Sequence, residues 1–439
     1  METPLEILPV YPPKVGQDVP TAAEDKPPAV VDPVTARKAY QPSQKEIRLA
    51  RVQTATLCWA VFLSGFNDGS LGPLLPRIQH VYQVGYLIVS LLFVFQALGS
   101  LTGAFITISL TPKFGFGKLL IFGPLFQVVG YSIQAAALPF PVYVFACVLS
   151  AIGSSILDAQ ANGYVASVWR NPESRMGYTQ AAYGAGIFAA PLISTQFAQL
   201  QHWSFHYLVS LGITLSNILL LFLVFRGKPQ DDCLVKLGQT KTPKGTSEHS
   251  QLRQILSIKA LHLMALFLFV HIGVSIAITG WTVSYMVTVR GGGASAGYIS
   301  AGYAGGAVLG RIVLIWVNKK IGENRGVYVY SLIAIGLQLV VWLVPSLVGG
   351  AIAVAFVGLM SGPIYPLALN RAAKLFPPWL LTSTMSWMAA MATVGGAVVP
   401  FIAGAVSSKA GLKSLEPLIL GGMVVMLGLW TLVPKHIDV

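Results

Sequence analysis

Twelve runs, each long enough to carry about 20 residues of bilayer-spanning helix, recur along this 439-residue chain. They lie near residues 54–76, 84–110, 117–138, 142–168, 177–200, 204–226, 259–289, 294–317, 326–345, 347–370, 380–406 and 412–433. Such a chain has few ways to fold. In the hydrocarbon core every backbone N–H and C=O must be satisfied within the segment, so runs of this length become helices. Composition agrees: 10% of the residues are charged, against about 25% in soluble proteins. Several runs are crowded with Gly, Ala, Ser and Thr, the small residues that let membrane helices pack closely. The sequence predicts an all-α membrane protein with twelve transmembrane helices.

The net charge of +13 is a topology signal. If the N-terminal tail is cytosolic, the inward segments hold 24 of the 29 Lys and Arg, and the outward loops hold Arg77, Arg290, Lys409 and Lys413. Arg311 lies within a span. This asymmetry follows the positive-inside rule and places both termini in the cytosol. It also argues against nucleic-acid binding, which gathers its bases on one patch. Residues 1–50 hold nine prolines and no apolar core of seven to fifteen residues, so they read as a tail rather than a signal peptide.

The chain divides in two. A shift of 207 residues lays Gly99, Gly103, Lys113, Gly115 and Lys118 over Gly306, Gly310, Lys320, Gly322 and Arg325. With slips of one or two residues, Asn162 falls over Asn370, Gly186 over Gly395 and Pro191 over Pro400. The predicted organisation is a disordered cytosolic tail (1–52), an N-terminal six-helix bundle (53–226), a polar cytosolic linker (227–258), a second, pseudo-symmetric six-helix bundle (259–433) and a short cytosolic end (434–439). Parallel six-span repeats are the architecture of major facilitator transporters.

Of sixteen Asp and Glu, Asp68 and Asp158 stand out as lying well inside apolar runs. A charge at a helix centre costs about 2.5–3.5 kcal/mol on insertion scales, so acids there usually face a cavity and serve transport. Gly65, Gly69, Gly72 and Pro73 surround Asp68 and would let its helix bend or unwind beside such a cavity. Asn162 follows Asp158 by four residues and shares its helix face. Because an apolar medium favours a neutral carboxyl, two acids near one cavity are suited to exchanging a proton. A hydrogen bond to neighbouring backbone, or a static bridge to Arg311, is the alternative.

The stretches GFNDGSLGPLLP (65–76) and GSSILDAQANGYVA (153–166) carry a resemblance. They are similar to the fucose/galactose/glucose proton symporters of the major facilitator superfamily, especially their fungal relatives. The resemblance implies that Asp68 and Asp158 couple protons and that Asp158 with Asn162 recognises sugar. Two positions depart from that pattern: Ser275 stands where relatives often carry a seventh-helix Glu, and Pro112 replaces the acid of the second loop.

Helical spacing adds candidates for a substrate cavity. These are Asn67 beside the first acid, Gln96 on the second span, Gln180 and Tyr183 on the fifth, His271, Ser275 and Trp281 on the seventh, and Asn370 on the tenth. The expected partners are a small polar solute, protons and the lipid bilayer, with the chain acting as a monomer in the plasma membrane. No cofactor, metal or enzymatic constellation is expected: Cys58, Cys147 and Cys233 show no paired spacing. Phe116-Gly117-Lys118 lacks the first glycine of a phosphate loop. A proton-driven exporter of a drug-like metabolite and a non-transporting nutrient sensor remain alternatives.

Overall fold

The computed structural model describes residues 43–168, 172–239, 258–376 and 381–434. Most of the expected tail (1–42), much of the linker (240–257) and residues 435–439 lie outside the described residues. The described chain is helical, without strands.

The first repeat contains α1 (Gln44–Tyr82), α2 (Tyr86–Phe114), α3 (Phe116–Ala135), α4 (Phe140–Ser167), α5 (Pro172–Gln199) and α6 (His206–Phe225). A short helix, α7 (Gln230–Val235), follows. The second repeat contains α8 (Lys259–Arg290), α9 (Tyr298–Val313), α10 (Ile315–Ile321), α11 (Glu323–Leu343), α12 (Leu347–Ser361), α13 (Ile364–Leu375), α14 (Leu381–Ala410) and α15 (Leu415–Leu432). Among the described residues ten helical stretches are long and apolar enough to cross a membrane, with α12 and α13 together forming one of them. An eleventh span is a pair bent by 55°, Ala294–Val313 with Ile315–Ile321. The twelfth expected run is α5, which carries Thr179, Gln180, Gln196 and Gln199. It packs along α1 and α9. A helix enclosed in this way need not be apolar all round.

Three expectations about the N-terminal half change. Residues 44–52, expected in the tail, begin α1. The cause is a capping box, in which Ser43 Oγ accepts the Glu46 N–H at 3.3 Å and the Glu46 carboxylate accepts the Ser43 N–H at 2.7 Å. Part of the expected linker is also structured: Cys233, Leu234 and Leu237 are buried against Leu57, Phe116 and Phe225, and burial pushes the Cys233 thiol up. Finally, α1 does not unwind at its glycines. It continues through Pro73 and Pro76, and the glycines serve close approach. A Cβ at Gly65 would stand 2.1 Å from the Tyr183 carbonyl oxygen, and one at Gly186 would stand 2.2 Å from that of Phe62. Each glycine on one helix thus lets the other helix's backbone in.

The repeat holds at the level of these contacts. Gly99 meets the Val148 carbonyl and Gly103 that of Ile152, while Gly306 meets the Ala355 carbonyl and Gly310 that of Leu359. All four pairs are related by the same shift of 207. Gly115 and Gly322 share it too, each starting a helix with φ +82, a region that L side chains rarely adopt.

Candidate functional site

Asp68 sits in the second half of α1, beside the crossing with α5. With Gly65 and Gly69 on that face, the two backbones come close enough for Tyr183 to reach the carboxylate. Its hydroxyl donates to Oδ2 at 2.8 Å. Gln96 Nε2 on α2 donates to Oδ1 at 3.0 Å, and Asn67 Nδ2 makes a longer contact with Oδ1 at 3.5 Å. Hydrogen bonds to an ionised group are stronger than neutral ones, so donors from two further helices secure this acid. Asp68 is exposed although it lies mid-helix.

Asp158 is arranged differently. It lies on α4, near Ser64 of α1. Its Oδ1 is buried without a hydrogen-bond partner, as is the Oδ1 of Asn162 one turn later. Buried polar atoms in folded proteins almost always have partners, so a neighbouring pair without them marks a place where something donates.

A cavity of about 530 Å³ holds other expected residues. Gln180 of α5 and Asn370 of α13 line it, with Arg311 of α9 and Lys319 of α10. A second cavity of about 20 Å³, room for roughly one water, adjoins Asn67, Gln96, Tyr143 and Tyr207.

The remaining expected residues lie apart from the acids. His271 is buried and stacked on Phe267 with centroids 6.2 Å apart. Ser275 lies beside the hydroxyl of Tyr303, which Ser361 also approaches. Trp281 is fully buried between the repeats, donates its indole N–H to the Pro400 carbonyl at 3.0 Å and packs on Tyr86 and Phe93. Arg311 bridges neither acid: its Nε donates to the Gly362 carbonyl at 3.3 Å. Among the described residues no group of three or more His, Cys, Asp or Glu could hold a metal ion.

Sequence reasoning missed a third acid. Glu416 is fully buried near the start of α15 and accepts from Gln338 Nε2 at 2.5 Å, while its Oε1 has no partner. Its place near the edge of the last apolar run hid it, although Pro417 immediately after it and Gln338 inside another apolar run were visible signals.

Between the repeats, one end is sealed. A Cβ at Gly72 would stand 2.2 Å from the Thr279 carbonyl oxygen, at Gly280 2.6 Å from the Phe93 ring, and at Gly404 2.5 Å from the Ser90 side chain. Gln199 Nε2 donates to the Ala294 carbonyl at 3.1 Å, and Gln196 donates to the Tyr298 hydroxyl. The larger cavity lies towards the opposite end, reaching Lys319 and Glu323 beside the basic loop. Contacts of Gly184 with Val308 and Gly305 with Phe188 join α5 to α9.

Comparison with known proteins matches this architecture. The chain is 25% identical to Bypass of stop codon protein 6 of Saccharomyces cerevisiae over 428 residues, covering 91% of this chain and 86% of that one. It is 25% identical to a glucose/galactose transporter of Brucella abortus over 398 residues, covering 84% and 91%. Among solved structures, a D-xylose-proton symporter superposes with a TM-score of 0.73 at 12% identity, covering 88% of this chain and 98% of that one. A model of the Major Facilitator Superfamily matches residues 57–353. With the repeated helices and the gap between them, that match makes the chain a multi-pass membrane transporter rather than an enzyme, and it belongs to the Major Facilitator Superfamily.

Proposed function

We propose that this transporter moves a small polar organic solute, a sugar or sugar-like compound, together with protons, by alternating access. One observation carries the reading: Asp68 is held by donors from neighbouring helices, whereas the buried Oδ1 atoms of Asp158 and Asn162 have none. A proton on Asp158 and a solute hydroxyl would supply the two missing donors. The relatives support the solute class, one being named a glucose/galactose transporter and one solved structure a D-xylose-proton symporter.

In this reading Asp68 exchanges the proton. Its exposure gives a proton access, and Gln96 and Tyr183 hold the ionised form. Asp158, Asn162 and Gln180 bind hydroxyls, and Asp158 can share the proton. The residue ranges 53–226 and 259–433 act as two bundles rocking about this site. Of the site residues, Gln180 lines the large cavity, which reaches the basic loop at Lys319 and Glu323, while Asp68, Asp158 and Asn162 are not in its lining. The other end is sealed, as expected of a transporter caught facing one side. Protonation shifts the balance between orientations by as much as it stabilises one over the other. The basic loops support cytosolic termini, and we propose a plasma-membrane monomer.

Exchange of labelled solute across proteoliposomes tests the solute class. A hexose and deoxyhexose panel is expected to include at least one exchanged sugar, with exchange lowered in Asn162→Ala through a raised KM. If no sugar exchanges while an apolar metabolite does, the reading fails.

A further inference from the structure

We propose that the large cavity contains an anion subsite centred on Arg311, so that the transported solute carries a carboxylate, as a sugar acid does. The proposal rests on the transport reading above and narrows its substrate class. Arg311 lies within a membrane span, on the last turn of α9. Its helix is closely packed: glycines 306, 310, 358 and 362 bring α9 against the end of α12, with a Cβ at Gly310 standing 2.0 Å from the Leu359 carbonyl oxygen and one at Gly362 2.2 Å from that of Ala307.

That packing brings Arg311 Nε to the Gly362 carbonyl at 3.3 Å. A guanidinium has five N–H donors. Among the described residues this bond is the one Arg311 makes, and it forms no ion pair. Its four terminal N–H groups meet no acceptor among the described residues, on a side chain that lines a cavity of about 530 Å³, within the roughly 300–1,000 Å³ usual for small-molecule sites.

The surroundings favour an anion. Lys319 adds a second cation to the lining, while Glu323, the acid in the lining, is neutralised by Lys374 at 2.6 Å. Apolar walls from Val308, Ile312 and Leu367 lower the local dielectric and strengthen attraction to an unpaired cation. The planar fork of Arg matches a carboxylate with two parallel hydrogen bonds. Gln180 and Asn370 line the same cavity and are placed for the hydroxyls of such a solute.

The test is exchange in proteoliposomes of the full chain, using labelled D-glucuronate, D-glucose and succinate, with wild type, Arg311→Gln and Arg311→Lys. Wild type is expected to exchange glucuronate in preference to glucose. The glucuronate-to-glucose ratio should fall about tenfold or more in Arg311→Gln, as expected for a lost charge-assisted hydrogen bond, with partial recovery in Arg311→Lys. Should Arg311→Gln fail to fold, Arg311→Lys carries the test through a raised KM for glucuronate at unchanged KM for glucose. Preference for glucose in wild type, or a ratio unmoved in both variants, overturns the anion subsite while leaving the sugar reading intact. Arg311-dependent exchange of succinate without any hexose or glucuronate exchange upholds the subsite and removes the sugar reading. Exchange of none of the three overturns the subsite.

Discussion

The Tyr183 hydroxyl donates to Asp68 Oδ2 at 2.8 Å, from α5 to α1, at a crossing where Gly65 leaves no room for a side chain. The helix crossing and the hydrogen bond are one feature, since the tyrosine reaches the acid because the backbones touch. Tyr183→Phe keeps the ring and removes the donor. It is expected to cost about 1.5–3 kcal/mol in the hold on the carboxylate and to lower gradient-driven uptake about tenfold or more, with the thermal unfolding midpoint moved by only a few degrees. Uptake within twofold of wild type would remove Tyr183 from the coupling machinery.

Asp158 and Asn162 present buried acceptors one turn apart on α4. Replacing Asn162 with Ala removes one acceptor and should raise KM for the solute about fivefold to twentyfold, the range of one hydrogen bond to a bound ligand, with little change in maximal rate. Initial-rate kinetics at saturating proton gradient separate the two constants. A fall in rate at constant KM would argue that Asn162 acts in the conformational step instead.

Gly72 holds α1 against α8 at the sealed end, where a Cβ would stand 2.2 Å from the Thr279 carbonyl oxygen. Gly72→Val should push these helices apart and favour the state in which this end is open. In a background lacking Cys58, Cys147 and Cys233, a cysteine placed at the buried Ser300 is expected to react slowly with a maleimide. It should react at least several times faster when Gly72→Val is added, and equal rates would show that the seal does not depend on this contact.

Much of the fold was legible because membrane helices are read from apolar runs, and because close helix crossings leave glycine in both repeats. Gly99 and Gly103 predicted Gly306 and Gly310 as partners by position, and each pair meets the corresponding carbonyls. Of the bend or unwinding expected from the glycines around Asp68, unwinding does not occur, since α1 stays continuous; spacing alone does not show that these glycines also serve close approach. The acids Asp68 and Asp158 were visible because each interrupts an apolar run, yet nothing in the spacing could show that Asp68 is held by donors from two further helices while Asp158 keeps one buried carboxylate oxygen without a partner. That difference arises from long-range packing. Trp281, a candidate for a sugar-facing surface, lies buried between the repeats, bonded to the Pro400 carbonyl.

Glu416, hidden at the edge of its apolar run, pairs with Gln338 in the buried core of the second repeat. Shifting back by 207 and 209 residues puts Tyr131 and Tyr207 at the corresponding places, with ring centroids 6.5 Å apart. The first repeat thus packs rings where the second makes a hydrogen bond. Glu416→Ala leaves the Gln338 amide unpaired and is expected to cost about 1–3 kcal/mol, seen as a lowered unfolding midpoint in detergent. Glu416→Gln, which keeps an acceptor, should lose less than half of that, and equal losses would show that the charge itself is required.

The central claim is that solute movement is coupled to protons through Asp68. Its most direct test is accumulation of the exchanged solute in proteoliposomes under an imposed pH gradient, comparing wild type with Asp68→Asn. The expected result is accumulation above equilibrium in wild type that collapses with the gradient, and none in Asp68→Asn, although that variant still equilibrates solute by exchange. Gradient-driven accumulation that survives Asp68→Asn would contradict the account.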